Sequence, residues 1–141
     1  MGRFLSTLFL LYYIMENKKI KNATKQVQDW IKFDSKLELF CYNKLIEYNI
    51  PFELKRKFVS VEKFTYMWEK IREIAHYPDF FLYKHNIILD SKWFKNDVYP
   101  IKAKLLKKYF YDNWIEYKIV TVKNQKEILS FINSLCNNIQ N

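Results

Sequence analysis

Asp79-Phe80-Phe81-Leu82-Tyr83-Lys84-His85-Asn86-Ile87-Ile88-Leu89-Asp90-Ser91-Lys92 sets two apolar runs on either side of a short polar break. Aromatic and β-branched runs of this kind, with no polar face of their own, read as a β-hairpin buried on both sides. The turn falls on Lys84-His85, on His85 alone or on His85-Asn86. Antiparallel pairing then sets Asp79 opposite Asp90, Ser91 or Lys92. Strand side chains alternate with period two, so Asp90 and Lys92 share a face and Ser91 points the other way. The spacing therefore predicts two carboxylates and an ammonium at one end of a sheet.

Carboxylates grouped at the end of an apolar sheet repel one another and are costly to desolvate, so a cation is their natural companion. Magnesium suits the role, because it takes hard oxygen ligands, keeps several waters and is commonly held by one or two carboxylates together with substrate phosphate. Asp79 and Asp90 are the candidate ligands, with manganese as a substitute ion and two ions per site expected. Lys92 would orient the attacking water or the scissile phosphate. The plain alternative is a surface Asp-Lys pair at a strand end.

Upstream, Ser35-Lys36-Leu37-Glu38 precedes an apolar stripe of Leu37, Phe40, Cys41, Leu45 and Tyr48, which predicts a helix over 35–48. Ser35-x-x-Glu38 is a capping box. At about 100° per residue Glu38 also falls on the rim of the stripe, where an acid can reach the sheet's end. Both readings stand together. A strand near 52–60, the hairpin 78–83 and 87–92, a helix near 101–112 opened by Pro100, a strand over 117–122 and a last helix capped by Asn124-x-x-Glu127 complete the order αβββαβα.

The ordered set of Ser-x-Leu-Glu38 on a helix, Phe52-Glu53 at a strand, Tyr77-Pro78-Asp79-Phe80 and Asp90-Ser91-Lys92 resembles the phage endonuclease I group of junction-resolving enzymes, within the wider PD-(D/E)XK nuclease class. The similarity covers roughly residues 34–122. It implies an α/β (α+β) fold with a restriction-endonuclease-like αβββαβ core, a mixed central sheet flanked by helices, and an extra C-terminal helix. It implies that Asp79 and Asp90 bind catalytic magnesium, that Lys92 serves the hydrolytic water and that Glu38 assists at the site as a further candidate metal ligand, with Glu53 as an accessory acid. It also implies a homodimer cutting four-way DNA junctions. The sparse, unpaired cysteines fit a reducing cytoplasm, which would be the host's if the gene is a phage's. Three departures stand out: Asp90 stands where the family usually has Glu, a shorter acid that can still coordinate, Trp93 follows the lysine where Gly is usual, and the segment between Glu53 and Asp79 is longer; the last two bear on substrate preference.

Composition bounds the alternatives. With 141 residues, half of them hydrophobic and 19% aromatic, the chain can bury a sizeable core as one domain over 31–141, behind a segment 1–30 that is apolar and then basic. The only glycine is Gly2, which excludes a glycine-rich phosphate loop or dinucleotide fingerprint, and so a nucleotide cofactor of those kinds. Cys41 and Cys136 lie far apart and read as reduced thiols in or near the core. His76 and His85 lack the neighbours of a zinc or nucleophile site and read as phosphate contacts or solvated groups.

The net charge of +9 suits a polyanion, although a lysine-, asparagine- and isoleucine-rich composition also follows from an A/T-rich gene. Lys95, Lys102 and Lys104 are the candidate DNA contacts; the alternative is a solvated lysine face. Val61, Phe64, Trp68, Ile71 and Ala75 have helical spacing, which predicts a short inserted helix over 61–75. The apolar first fourteen residues are too short to span a bilayer; an upstream start codon ahead of Met15, or packing on the fold or a second subunit, explains them. Rival readings are another activity of the same nuclease class (restriction-like, transposon-end or virion-assembly DNA processing), a catalytically silent DNA-binding protein of the same fold, and a small membrane-associated protein.

Overall fold

The computed structural model describes residues 25–92 and 97–138. The apolar segment 1–14, Trp93 and Lys95 therefore lie outside the described residues. The chain is mixed α+β, with three helices and a mixed sheet among the described residues, and it groups into two compact units: residues up to Ile50 together with those from Lys123 onward, and Pro51–Val122.

In the first unit, β1 (Gln26–Gln28) and β2 (Ile31–Phe33) form a hairpin for which the sequence pattern had suggested no element. Its turn, Asp29-Trp30, has both φ positive, at 52° and 66°, the backbone that matches the twist of paired strands. Helix α1 (Lys36–Glu47) follows. Ser35 caps it by accepting from the Glu38 N–H at 3.1 Å, and the Glu38 carboxylate accepts from the Asp34 N–H at 2.8 Å. The capping box thus forms, reaching back one residue further than the N-cap itself. Ser35→Ala should cost about 1 kcal/mol, measured as a shift in the urea midpoint with unchanged slope.

The buried stripe of α1 is Glu38, Cys41, Tyr42 and Leu45. Glu38 is not on a rim, as its angular position suggested, but in line with the stripe and 2% exposed. The β1–β2 hairpin packs on this helix, with Phe33 against Tyr42 at 4.9 Å and the Tyr42 hydroxyl donating to Asp29 at 3.3 Å. Burial, reinforced by the Asp29 carboxylate, pushes the Tyr42 phenol up to about 12. Helix α1 ends with Asn49 at φ 53°. The Ile50 N–H reaches the Leu45 carbonyl at 2.9 Å and the Asn49 N–H the Ile46 carbonyl at 3.0 Å, so a helix usually closed by glycine is closed here by asparagine. Helix α3 (Gln125–Asn137) packs on α1 and is capped as the sequence predicts, with Asn124 accepting from the Glu127 N–H at 2.8 Å.

The second unit holds a four-stranded sheet in the order β10-β9-β8-β3. Strands β8 (Phe80–Leu82) and β9 (Ile87–Ser91) are the predicted hairpin, paired Phe80 to Leu89, Phe81 to Ile88 and Leu82 to Ile87, and buried at every position. Strand β3 (Glu53–Leu54) adds antiparallel to β8, and β10 (Lys118–Val122) adds parallel to β9 after helix α2 (Val98–Asp112). A parallel return needs a crossover of this length, and α2 supplies it. The helix begins three residues before the predicted 101, so that Pro100 sits in its first turn. Phe58, Phe81, Ile88, Leu106 and Phe110 form the core between helix and strands.

Two expectations fail in this unit. The strand near 52–60 is two strands in separate sheets, β3 and β4 (Phe58–Val61), broken at Lys55, whose φ is 48°. The helix over 61–75 does not form; β5 (Phe64–Tyr66) and β6 (Glu69–Ile71) make a hairpin, and β7 (Ile74–His76) returns along β4. Its supposed stripe is not a buried face, with Phe64 50% and Trp68 97% exposed. Met67 and Trp68, at φ 43° and 71°, form a two-residue turn that pairs the aromatic Phe64 and Tyr66 into a ribbon instead.

Candidate active site

The hairpin register sums to place Asp79 one step beyond Phe80, against Asp90, and its backbone N–H donates to Asp90 Oδ1 at 3.2 Å. Asp79 lies just outside β8, after Pro78, and so escapes the strand's alternation. Its carboxylate turns to Ser91, accepting from the Ser91 N–H at 2.8 Å and hydroxyl at 2.9 Å on Oδ2. The ammonium on its other oxygen is Lys55, at 2.5 Å. Burial alone would raise the Asp79 carboxyl; the Lys55 charge and the Ser91 hydrogen bonds outweigh it and hold the group below the ordinary carboxylate value.

Asp90 is fully buried. Its Oδ2 meets His76 Nε2 at 2.8 Å and accepts from the Tyr99 hydroxyl at 3.1 Å. Tyr99 also bonds Thr121 on β10 at 2.8 Å. Burial, followed by the Asp90 charge, pushes the Tyr99 phenol up, so it remains a hydrogen-bond donor throughout the physiological range. Lys92 places its ammonium 4.5 Å from the centre of the same Tyr99 ring, a cation–π contact. Asp90 and Lys92 therefore meet on one residue, as their shared strand face predicts.

Glu38 belongs to the other compact unit, where its carboxylate serves the entry to α1. Glu53 pairs with Arg56 at 3.7 Å on its own strand end. Lys102 donates to the Ala75 carbonyl at 3.2 Å, while Lys104 is exposed. His76, expected at a phosphate or in solvent, is instead 8% exposed and holds Asp90; its place at the end of β7, opposite Phe58, carries it inward.

Sequence reasoning missed Lys55, His76 and Tyr99. Lys55 is set against Asp79 by the antiparallel register of β3 on β8, which pairs Glu53 with Phe81 and Leu54 with Phe80. His76 and Tyr99 reach Asp90 from separate elements, and no local spacing announces that.

Asp79 and Asp90 could each lend an oxygen to a hard divalent cation, while among the described residues no group of three or more His, Cys, Asp or Glu side chains comes together as a metal site. Among the described residues each carboxylate accepts three protein hydrogen bonds. Of the about four acceptor positions a carboxylate offers, roughly one remains on each of Asp79 and Asp90. Magnesium asks for no more than one or two such oxygens beside water and phosphate.

The Asp79–Lys55 pair makes stability depend on acid. Because the folded carboxyl sits below its ordinary value, its contribution is complete above the unfolded carboxylate range, near pH 4, and is lost as pH falls through the folded value. In metal-free buffer, the stability gap between wild type and Asp79→Asn should be largest at neutral pH and shrink below about pH 4 in urea titrations.

Among the described residues no helix is long and apolar enough to cross a membrane. No family model, curated protein or solved structure matches this chain.

Proposed function

We propose that this protein is a magnesium-dependent endonuclease with a restriction-endonuclease-like core, hydrolysing phosphodiester bonds in branched DNA, most concretely four-way junctions. One observation carries the reading: the β8–β9 hairpin sets Asp79 against Asp90 at the end of a mixed sheet, with Lys92 leaving the same strand. Asp79 and Asp90 would hold the magnesium, whose chemistry there is activation of water and neutralisation of charge growing on the phosphate. His76 and Tyr99 fix Asp90 from two sides, so the carboxylate keeps one orientation. Lys92, resting on the Tyr99 ring, offers a proton donor to a phosphate oxygen or to the attacking water. Lys55 neutralises Asp79 while no cation or substrate is bound and stands ready to bind phosphate when one is. A dimer acting on paired strands follows from the resemblance to junction-resolving enzymes.

A catalytically silent DNA-binding protein of the same fold is the second reading, favoured by the Lys55 ammonium already closing one Asp79 oxygen at 2.5 Å. Incubation with a labelled four-way junction, a linear duplex and a single strand, with magnesium and with chelator, separates the two. Magnesium-dependent cutting of the junction above the duplex is the expected result. Equal cutting of both removes the junction preference, and binding with no cutting of any substrate establishes the silent fold.

A further inference from the structure

The β5–β6 hairpin presents two unlike faces and an aromatic tip. Its register pairs Phe64 with Ile71, Thr65 with Lys70 and Tyr66 with Glu69, and directly opposed residues share a face. One face therefore carries Phe64, Tyr66, Glu69 and Ile71. Extending the register one pair past Phe64 and Ile71 puts Lys63 and Arg72 beside Thr65 and Lys70 on the other. These four line an open groove together with Phe64, Ile71 and Glu73. Lys63, Lys70 and Arg72 are exposed, and among the described residues none of the three is in an ion pair. The nearby acid Glu73 is engaged by Lys57. At the turn, Met67 is 77% and Trp68 97% exposed.

Lys63 and Arg72 across the two strands and Lys70 beside them form a patch of three cations outside any ion pair among the described residues, which is complementary to the phosphates of a polyanion. An exposed indole beyond the patch is suited to stack on a base that has lost its neighbour. The ribbon is also continuous with the site: β7 leads from Ile74 to His76, which holds Asp90. At about 3.3 Å per residue, the run from Trp68 to His76 spans up to roughly 26 Å, several base steps of DNA.

We infer that the β5–β6 hairpin is a DNA-binding prong, in which Lys63, Lys70 and Arg72 follow a phosphate backbone and Trp68 stacks on an unpaired or unstacked base at a branch point. The choice of DNA rests on the nuclease reading above. The prong is tested by binding alone, in chelator, with the full-length protein and fluorescein-labelled four-way junction and duplex of equal length. The triple variant Lys63→Ala, Lys70→Ala, Arg72→Ala is expected to weaken both substrates and to lower the slope of log affinity against log salt by about 2 to 3. Trp68→Ala is expected to weaken the junction about tenfold while duplex affinity changes less than twofold, and Trp68→Tyr to restore most of the loss.

All these positions are exposed, so unchanged circular dichroism and melting temperature accompany the expected result. Triple and Trp68 variants that bind both substrates like wild type overturn the prong. So does a change in sedimentation of the protein alone with no change in DNA binding, which would make the hairpin a self-association surface. Wild-type binding without cleavage, together with the expected losses, supports the prong and removes only the nuclease reading.

Discussion

Asp79→Asn is expected to reduce magnesium-dependent cleavage of a four-way junction by at least about a thousandfold, since several kcal/mol of charge stabilisation are lost and each 1.4 kcal/mol is tenfold. Binding in chelator should stay within a few-fold of wild type. The substitution also breaks the Lys55–Asp79 ion pair in a nearly buried site, where losing one charge of a pair is costly. A thermal melt therefore accompanies the assay. Lys92→Ala is the companion variant: its ammonium lies on the Tyr99 ring and not in the Asp79 pair, so its loss of cleavage is expected with little change in melting temperature. Full cleavage by either variant would show that the reacting groups lie elsewhere.

Phe81→Ala is expected to lose about 3–5 kcal/mol of folding stability, the range for removing a large aromatic from a packed core. Phe81 is 1% exposed and its ring meets Phe58 at 5.2 Å, Tyr117 at 5.2 Å and the Arg56 guanidinium at 4.7 Å. It sits in the middle of β8, so the cavity opens beneath the strand that Asp79 leads into. The check is the urea midpoint, read by far-UV circular dichroism. A loss below about 1 kcal/mol would mean that the surrounding rings collapse into the space.

The two effects separate by mechanism. Asp79→Asn removes chemistry with the sheet in place, whereas Phe81→Ala loosens the sheet and lowers activity in proportion to the unfolded fraction. Cleavage measured well below the melting temperature of the Phe81 variant should therefore recover toward wild type, and that of the Asp79 variant should not.

What the amino-acid sequence determined by itself was the set of elements whose signals are local. The hairpin of β8 and β9 was legible because two buried runs flank a short polar break, and its register alone brings Asp79 to Asp90. Both capping boxes were legible, at Ser35 and Asn124, because the partner lies three residues away. The three helices and the four-stranded sheet of β3, β8, β9 and β10 follow the expected chain order, but β1–β2 precede them and β4–β7 are inserted between β3 and β8, which the sequence pattern did not show.

Where local signals were ambiguous the fold decided. The run from Val61 to Ala75 fits a helical period by spacing alone, yet a helical stripe is stabilised only when a surface covers it. Here Phe64 is 50% and Trp68 97% exposed, and cross-strand pairing of Phe64 with Ile71 prevails. Only the tertiary structure decided how the two acids are held. Lys55 arrives from β3, His76 from β7 and Tyr99 from α2, residues separated from their carboxylates by 24, 14 and 9 positions. A carboxylate buried at a sheet end takes whichever donor the packed elements bring within about 3 Å. Sequence distance has no part in that choice, which is why the acids could be read from the chain and their partners could not.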